Sequence, residues 1–127
     1  LLFGSFLLAA LAATYYWWPL LAGKTAPEWP GQAAAIVTTV GVLGASLPLL
    51  VLGARGQPRR VATYALAFEP LEDAAGYGAM ALVAGLAGVA LHLAASRRRP
   101  PAGADPWGAR GPEWAPAAPP AAAAPPP

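Results

Sequence analysis

The sequence predicts an all-α membrane protein: three transmembrane helices followed by a disordered Pro/Ala-rich tail. Three observations point to that class. Of the 127 residues, 57% are hydrophobic and only 11% charged, where a soluble domain usually carries about 25% charged. Residues 1–22, 33–53 and 74–95 form long apolar runs, each reaching the roughly 20 residues that cross a hydrocarbon core as a helix. From Pro100 onward the composition shifts to Pro, Ala and Gly.

The first run holds only Ser5 and Thr14 as polar interruptions before Tyr15-Tyr16-Trp17-Trp18-Pro19. Amphipathic rings favour the headgroup level, so this cluster reads as an aromatic belt, and Pro19 as a helix end. The chain opens at Leu1, already inside the apolar run, with neither a charged start nor a small-residue cleavage site. That predicts a piece of a longer subunit rather than a signal peptide. The second run carries no charge, and Pro48 is expected to kink it by removing one backbone hydrogen bond. The third run is also uncharged, with His92 near its end as an interfacial polar residue rather than a ligand. Small residues recur at spacing four (Gly41 with Ala45, Ala81 with Gly85, Ala84 with Gly88), a pattern that lets membrane helices approach closely.

Domain organisation follows: residues 1–96 as the transmembrane region, residues 97–127 as a cytoplasmic tail. Three spans place Lys24 and Arg97-Arg98-Arg99 on one side, and Arg55, Arg59 and Arg60 on the other. Four basic residues against three favour the Arg97 side as cytoplasmic. A Pro/Ala-rich tail cannot bury enough apolar surface to offset its ordering entropy. Within it, Asp105-Pro106-Trp107-Gly108-Ala109-Arg110 and Glu113-Trp114 stand apart. Two tryptophans among charges suit a strap laid on a folded surface.

Composition excludes several chemistries. There is no cysteine, hence no disulfide, thiolate site or cysteine nucleophile. One histidine cannot build a metal or haem site within this chain alone. A formal charge of +2 without a basic face does not suit nucleic acid. The feature that asks for a function is Arg59-Arg60, in the loop Gly56-Gln57-Pro58-Arg59-Arg60 between the second and third spans. Two guanidiniums at a membrane edge suit either a lipid-facing pair or a clamp for anionic groups. Tyr64 and Glu72 lie near the same boundary, either on a proton exit route or as loop residues facing water.

Taken in order, these motifs resemble subunit I of the haem-copper oxidases, the family of cytochrome c oxidase and its quinol-oxidising relatives. Tyr15-Tyr16-Trp17-Trp18-Pro19 is similar to the end of that family's tenth helix. Gly41, Pro48 and Gly53 match positions along the eleventh. Gly56-Gln57-Pro58-Arg59-Arg60 resembles its Gly-Met-Pro-Arg-Arg loop, and Tyr77-Gly78-Ala79 the start of the twelfth. Asp105-Pro106-Trp107 through Glu113-Trp114 resembles its Asp-Pro-Trp…Glu-Trp segment. The chain departs at Leu43 and Leu50, at Leu71-Glu72 and at Gly111-Pro112, where the family has polar or differently shaped residues.

The resemblance implies the last three helices of a twelve-helix bundle in the plasma membrane. It implies a terminal oxidase reducing dioxygen to water with coupled proton translocation, fed by cytochrome c or a quinol and joined by other oxidase subunits. It implies two haems and copper, their metal ligands upstream of Leu1, with Arg59 and Arg60 binding the haem propionates. No catalytic or metal-ligating residue is expected in this stretch. The alternative from another class is a non-enzymatic three-span accessory or assembly protein, whose Arg59-Arg60 would meet lipid phosphates or a partner's carboxylates.

Overall fold

The computed structural model describes residues 2–58, 63, 65–103, 105–109 and 111–114. Three helices dominate: α1 Leu2–Ala22, α2 Glu28–Ala54 and α3 Glu69–Ser96. Short 3-10 turns cover Leu66–Phe68 and Pro112–Trp114. No strand occurs among the described residues; one isolated bridge joins Lys24 to Pro101. The three helical segments are long and apolar enough to cross a membrane.

The helix ends follow from local chemistry. α1 runs through Pro19 and stops three residues later, because Gly23 takes the left-handed conformation (φ 65°) and donates its N–H to the Pro19 carbonyl at 2.8 Å. Pro19 therefore lies inside the helix rather than at its end. α2 begins ahead of its apolar run, with Pro27 as N-cap, Glu28 in the first turn and Pro30 close behind. First-turn N–H groups have no intrahelical partner, so a proline there loses nothing. Glu28 also suits the positive end of the helix dipole. α2 continues through Pro48 as a single 27-residue helix.

α3 likewise starts with a polar turn, Glu69-Pro70-Leu71-Glu72, ahead of its apolar stretch. At about 1.5 Å per residue, the 27 and 28 residues of α2 and α3 span roughly 40 Å. A bilayer core is roughly 30 Å thick, so the polar turns sit where headgroups begin.

α2 and α3 pack against each other along an antiparallel seam. Along it Ala34 faces Gly88, Thr38 faces Gly85, Gly41 faces Ala81-Leu82, and Gly44 faces Gly78. A Cβ on Gly41 would lie 2.5 Å from Leu82 Cα, and one on Gly85 only 2.6 Å from Thr38 N. The approach is thus backbone to backbone, and only glycine fits. Thr38, at 0% exposure, returns its hydroxyl to the Ala34 carbonyl at 2.8 Å, so its polarity is satisfied inside the seam.

α1 stands further off, spaced by side chains. Leu11, Tyr15 and Trp18 pack on the buried cluster Ala34, Val89 and Leu93. The outward faces stay apolar: Phe6, Ile36, Val40, Leu50, Met80 and Val83 are all exposed. Water would not tolerate such a surface, whereas lipid or further helices would.

Candidate functional site

The helices bring two sets of polar groups to opposite ends. One end collects the close of α1, the start of α2, the close of α3 and the strap. The other collects the close of α2 with Gln57 and the start of α3 with Glu72.

The strap end is built on the aromatic cluster. Trp114 is buried, its indole N–H donating to Tyr16 Oη at 2.9 Å, with the two rings edge to face at 5.7 Å. Trp107 donates its indole N–H to the Tyr16 carbonyl at 3.0 Å. The turn that aims Trp107 is encoded locally: Asp105 Oδ1 accepts from the Ala109 N–H at 2.9 Å, and Gly108 supplies φ 63°. Further back, the Ala102 N–H donates to the Gly23 carbonyl at 2.8 Å, so the chain returns to the α1–α2 loop before reaching the strap.

Trp18 is tied to α3 rather than to lipid. Its N–H donates to Ser96 Oγ at 2.7 Å, Ser96 donates in turn to the Leu93 carbonyl at 2.7 Å, and the Arg97 guanidinium lies 5.8 Å from the Trp18 ring centre. Three of the four rings of this cluster also make contacts within the chain. Tyr16 holds the strap, Trp18 holds α3, and Tyr15 packs against His92 at 5.8 Å; Trp17 is half exposed. The physical reason is that aromatic residues with polar tips can satisfy helix ends as well as headgroups.

His92, near the end of α3, is buried and packs against Tyr15 and Gly31. Its Nε2 and Tyr15 Oη have no hydrogen-bond partner among the described residues. Ser96, the acceptor that joins α1 to α3, carries no motif of its own; its only mark in the sequence is its place immediately before Arg97.

At the opposite end, α2 closes in a full Schellman motif. Gly56, at φ 81°, donates its N–H to the Gly53 carbonyl at 3.1 Å, and Gln57 donates its backbone N–H to the Leu52 carbonyl at 3.1 Å. Pro58 follows and cannot continue the helix. The Gln57 side-chain amide then donates to Glu72 Oε1 on the first turn of α3. The loop is thereby clasped to α3 immediately before the arginine pair.

Arg59 and Arg60 themselves, with Tyr64 and Arg110, lie outside the described residues. Glu72 is half-buried and engaged by Gln57. No group of three His, Cys, Asp or Glu is placed to hold a metal ion among the described residues.

The chain is similar in sequence to proteins of one family. Residues 1–90 match the family described as Cytochrome C and Quinol oxidase polypeptide I. The chain is 32% identical over 120 residues to a cytochrome c oxidase subunit 1 of Thermostichus vulcanus, covering 94% of this chain and 22% of that protein. A cytochrome c oxidase subunit 1 of Synechocystis is similar to the same extent, 32% over 120 residues. A cytochrome c oxidase polypeptide 1 of Halobacterium salinarum is 31% identical over 109 residues, 84% of this chain and 18% of that protein. The chain thus spans about a fifth of the length of the curated relatives it matches. No solved structure matches it. Three apolar helices and a family match across residues 1–90 lead to one conclusion: the chain belongs to the cytochrome c and quinol oxidase polypeptide I family.

Proposed function

We propose that this chain is the C-terminal part of a terminal respiratory oxidase subunit I. The whole enzyme would reduce dioxygen to water and couple that to proton translocation, taking electrons from cytochrome c or a quinol. In this reading residues 1–96 form the transmembrane region of a plasma-membrane protein, residues 97–127 lie on the cytoplasmic side, and other oxidase subunits complete the assembly.

The part played by this stretch is to hold haem carboxylates. Arg59 and Arg60 would bind the propionates of two haems whose metal ligands lie upstream of Leu1. The donor chemistry fits: an arginine stays charged at any physiological pH and offers forked N–H donors to a planar carboxylate. Two adjacent guanidiniums suit the acidic edge of a haem, where its carboxylates lie. When bound, the haems supply the redox chemistry. The arginines fix the carboxylates and keep them ionised at a low-dielectric boundary, and nearby positive charge raises a haem's affinity for an electron.

The observation that supports this role is the Gln57–Glu72 clasp behind the Schellman close of α2, which tethers the loop just ahead of the arginines to the first turn of α3. In the full-length protein, Arg59→Gln or Arg60→Gln should lower the haem reduction potentials or reduce oxidase turnover. An unchanged haem spectrum and rate in both variants would rule the propionate role out.

A further inference from the structure

Pro19 is the weak joint of α1. It lies inside the helix, and its missing N–H leaves the Tyr15 carbonyl, one turn back, without its helical donor. Sharp bends in helices fall at such places. On the α2 side of the joint lies a cavity of about 420 Å³, with Tyr15, Trp18 and Pro19 along one wall and Pro27, Gly31 and Gln32 along another. Helices in lipid have no hydrophobic drive to associate, so packing and hydrogen bonds decide where each one stands. A cavity beside the joint supplies neither.

The strap grips α1 on both sides of that joint. Beyond it, Pro101 pairs with Lys24, and the Ala102 N–H donates to the Gly23 carbonyl at 2.8 Å. Gly23 is the residue whose φ of 65° ends α1. Before it, Trp107 donates its indole N–H to the Tyr16 carbonyl at 3.0 Å, and Trp114 donates to Tyr16 Oη at 2.9 Å. From Tyr16 to Gly23 is about 10 Å along the axis, at about 1.5 Å per residue. One attachment would leave a pivot, whereas two that straddle the joint fix a direction.

The strap is built to keep that spacing. Between the grips the Asp105–Ala109 hydrogen bond and the left-handed Gly108 hold its turn. Trp107 also forms a wall of the cavity that belongs to neither helix. At its root the strap leaves α3 after Ser96, which accepts the Trp18 N–H at 2.7 Å, one residue before Pro19.

We infer that the segment from Pro101 to Trp114 is a clamp that splints α1 across Pro19 and sets the direction in which that helix ends. Its base is α3, close-packed on α2 through the glycine seam. The clamp does not depend on the propionate role of Arg59-Arg60 and uses none of the contacts at the close of α2.

The test uses the assembled full-length protein in detergent. Trp107→Phe with Trp114→Phe keeps both rings and removes both indole donors from Tyr16. Hydrogen exchange of the Leu20–Lys24 amides, read by mass spectrometry, should become about ten-fold faster, because two hydrogen bonds of modest net worth are lost. Exchange at Arg55, Gly56 and Gln57, which close α2, should not change. Spin labels at the exposed positions Leu20 and Trp29 should give a narrow distance in the parent by pulsed electron paramagnetic resonance and a broadened one in the double variant. Pro19→Ala, added to the double variant, restores the missing donor and should return both readouts most of the way to the parent. Where the double variant does not assemble, Trp107→Phe alone should give about three-fold faster exchange and the same rescue. Unchanged exchange at Leu20–Lys24 would overturn the clamp. Equal acceleration at both ends would mean general loosening and overturn it too, and so would a failure of Pro19→Ala to rescue.

Discussion

Two glycines two positions apart in sequence, Gly76 and Gly78, should respond in opposite directions to the same methyl group. A Cβ on Gly78 would overlap the α2 backbone, lying 2.6 Å from the Gly44 carbonyl oxygen, whereas a Cβ on Gly76 meets nothing within 4 Å. Both sit inside α3, so both share the helix-propensity gain of Gly→Ala, about 0.5–1 kcal/mol. At Gly76 that gain stands alone. At Gly78 the obstacle is backbone, which cannot rotate aside, and the helices must part. Overpacking of this kind costs about 1–3 kcal/mol. Because the propensity gain is common to both, the two variants should differ by the overpacking cost, about 1–3 kcal/mol, Gly78→Ala destabilised and Gly76→Ala neutral or stabilised.

The assay is the thermal midpoint of the full-length subunit in detergent, with helix content followed by circular dichroism. Cross-linking between residues introduced on the outer flanks of α2 and α3 serves as a second readout, since separation of the seam lowers its yield. If Gly78→Ala proves as stable as Gly76→Ala and cross-links as well as the parent, the backbone-to-backbone seam is wrong.

Two further expectations follow from the same contacts. Gly4→Ala should be rescued by Val42→Ala, because the obstacle at Gly4 is the Val42 Cγ1 methyl; Gly85→Ala should not be rescued by Thr38→Ala, because Thr38 N and Cα lie 2.6 and 2.7 Å from the new methyl. Paired thermal midpoints of single and double variants distinguish these cases. Tyr16→Phe should leave the buried Trp114 N–H without its acceptor, a loss of about 1–3 kcal/mol, and release the strap; faster hydrogen exchange across residues 105–114 checks it.

What the sequence discloses and what it withholds divides along physical lines. The three spans are legible because lipid demands about 20 apolar residues whatever the neighbours are. The polar first turns of α2 and α3 are not part of that signal, since Glu28 and Glu69-Pro70 lie in the headgroup zone and belong to helices for reasons of capping and dipole. The seam is half legible. Spacing picks out Gly41 and Gly85, but the pairing of Gly44 with Gly78 and of Gly85 with Thr38 depends on a register between two helices that no single-helix pattern encodes. The strap is legible from its two tryptophans; what they bind is not, because Tyr16 reads equally well as a belt residue until Trp107 and Trp114 are seen to reach it.

Glu72 shows how a departure from a family pattern can carry a contact of its own. Here Glu72 accepts a hydrogen bond from Gln57, two residues before Arg59. The carboxylate is an acceptor only, and the Gln57 amide is the donor that reaches it. The same side chain thus ties the chain after α2 to the first turn of α3. The two ends of the molecule differ in how they close. The strap end is closed by neutral hydrogen bonds between indoles, hydroxyls and carbonyls, which tolerate a low dielectric. Among the described residues, the opposite end is closed by the Schellman turn of α2 and the Gln57–Glu72 amide–carboxylate contact.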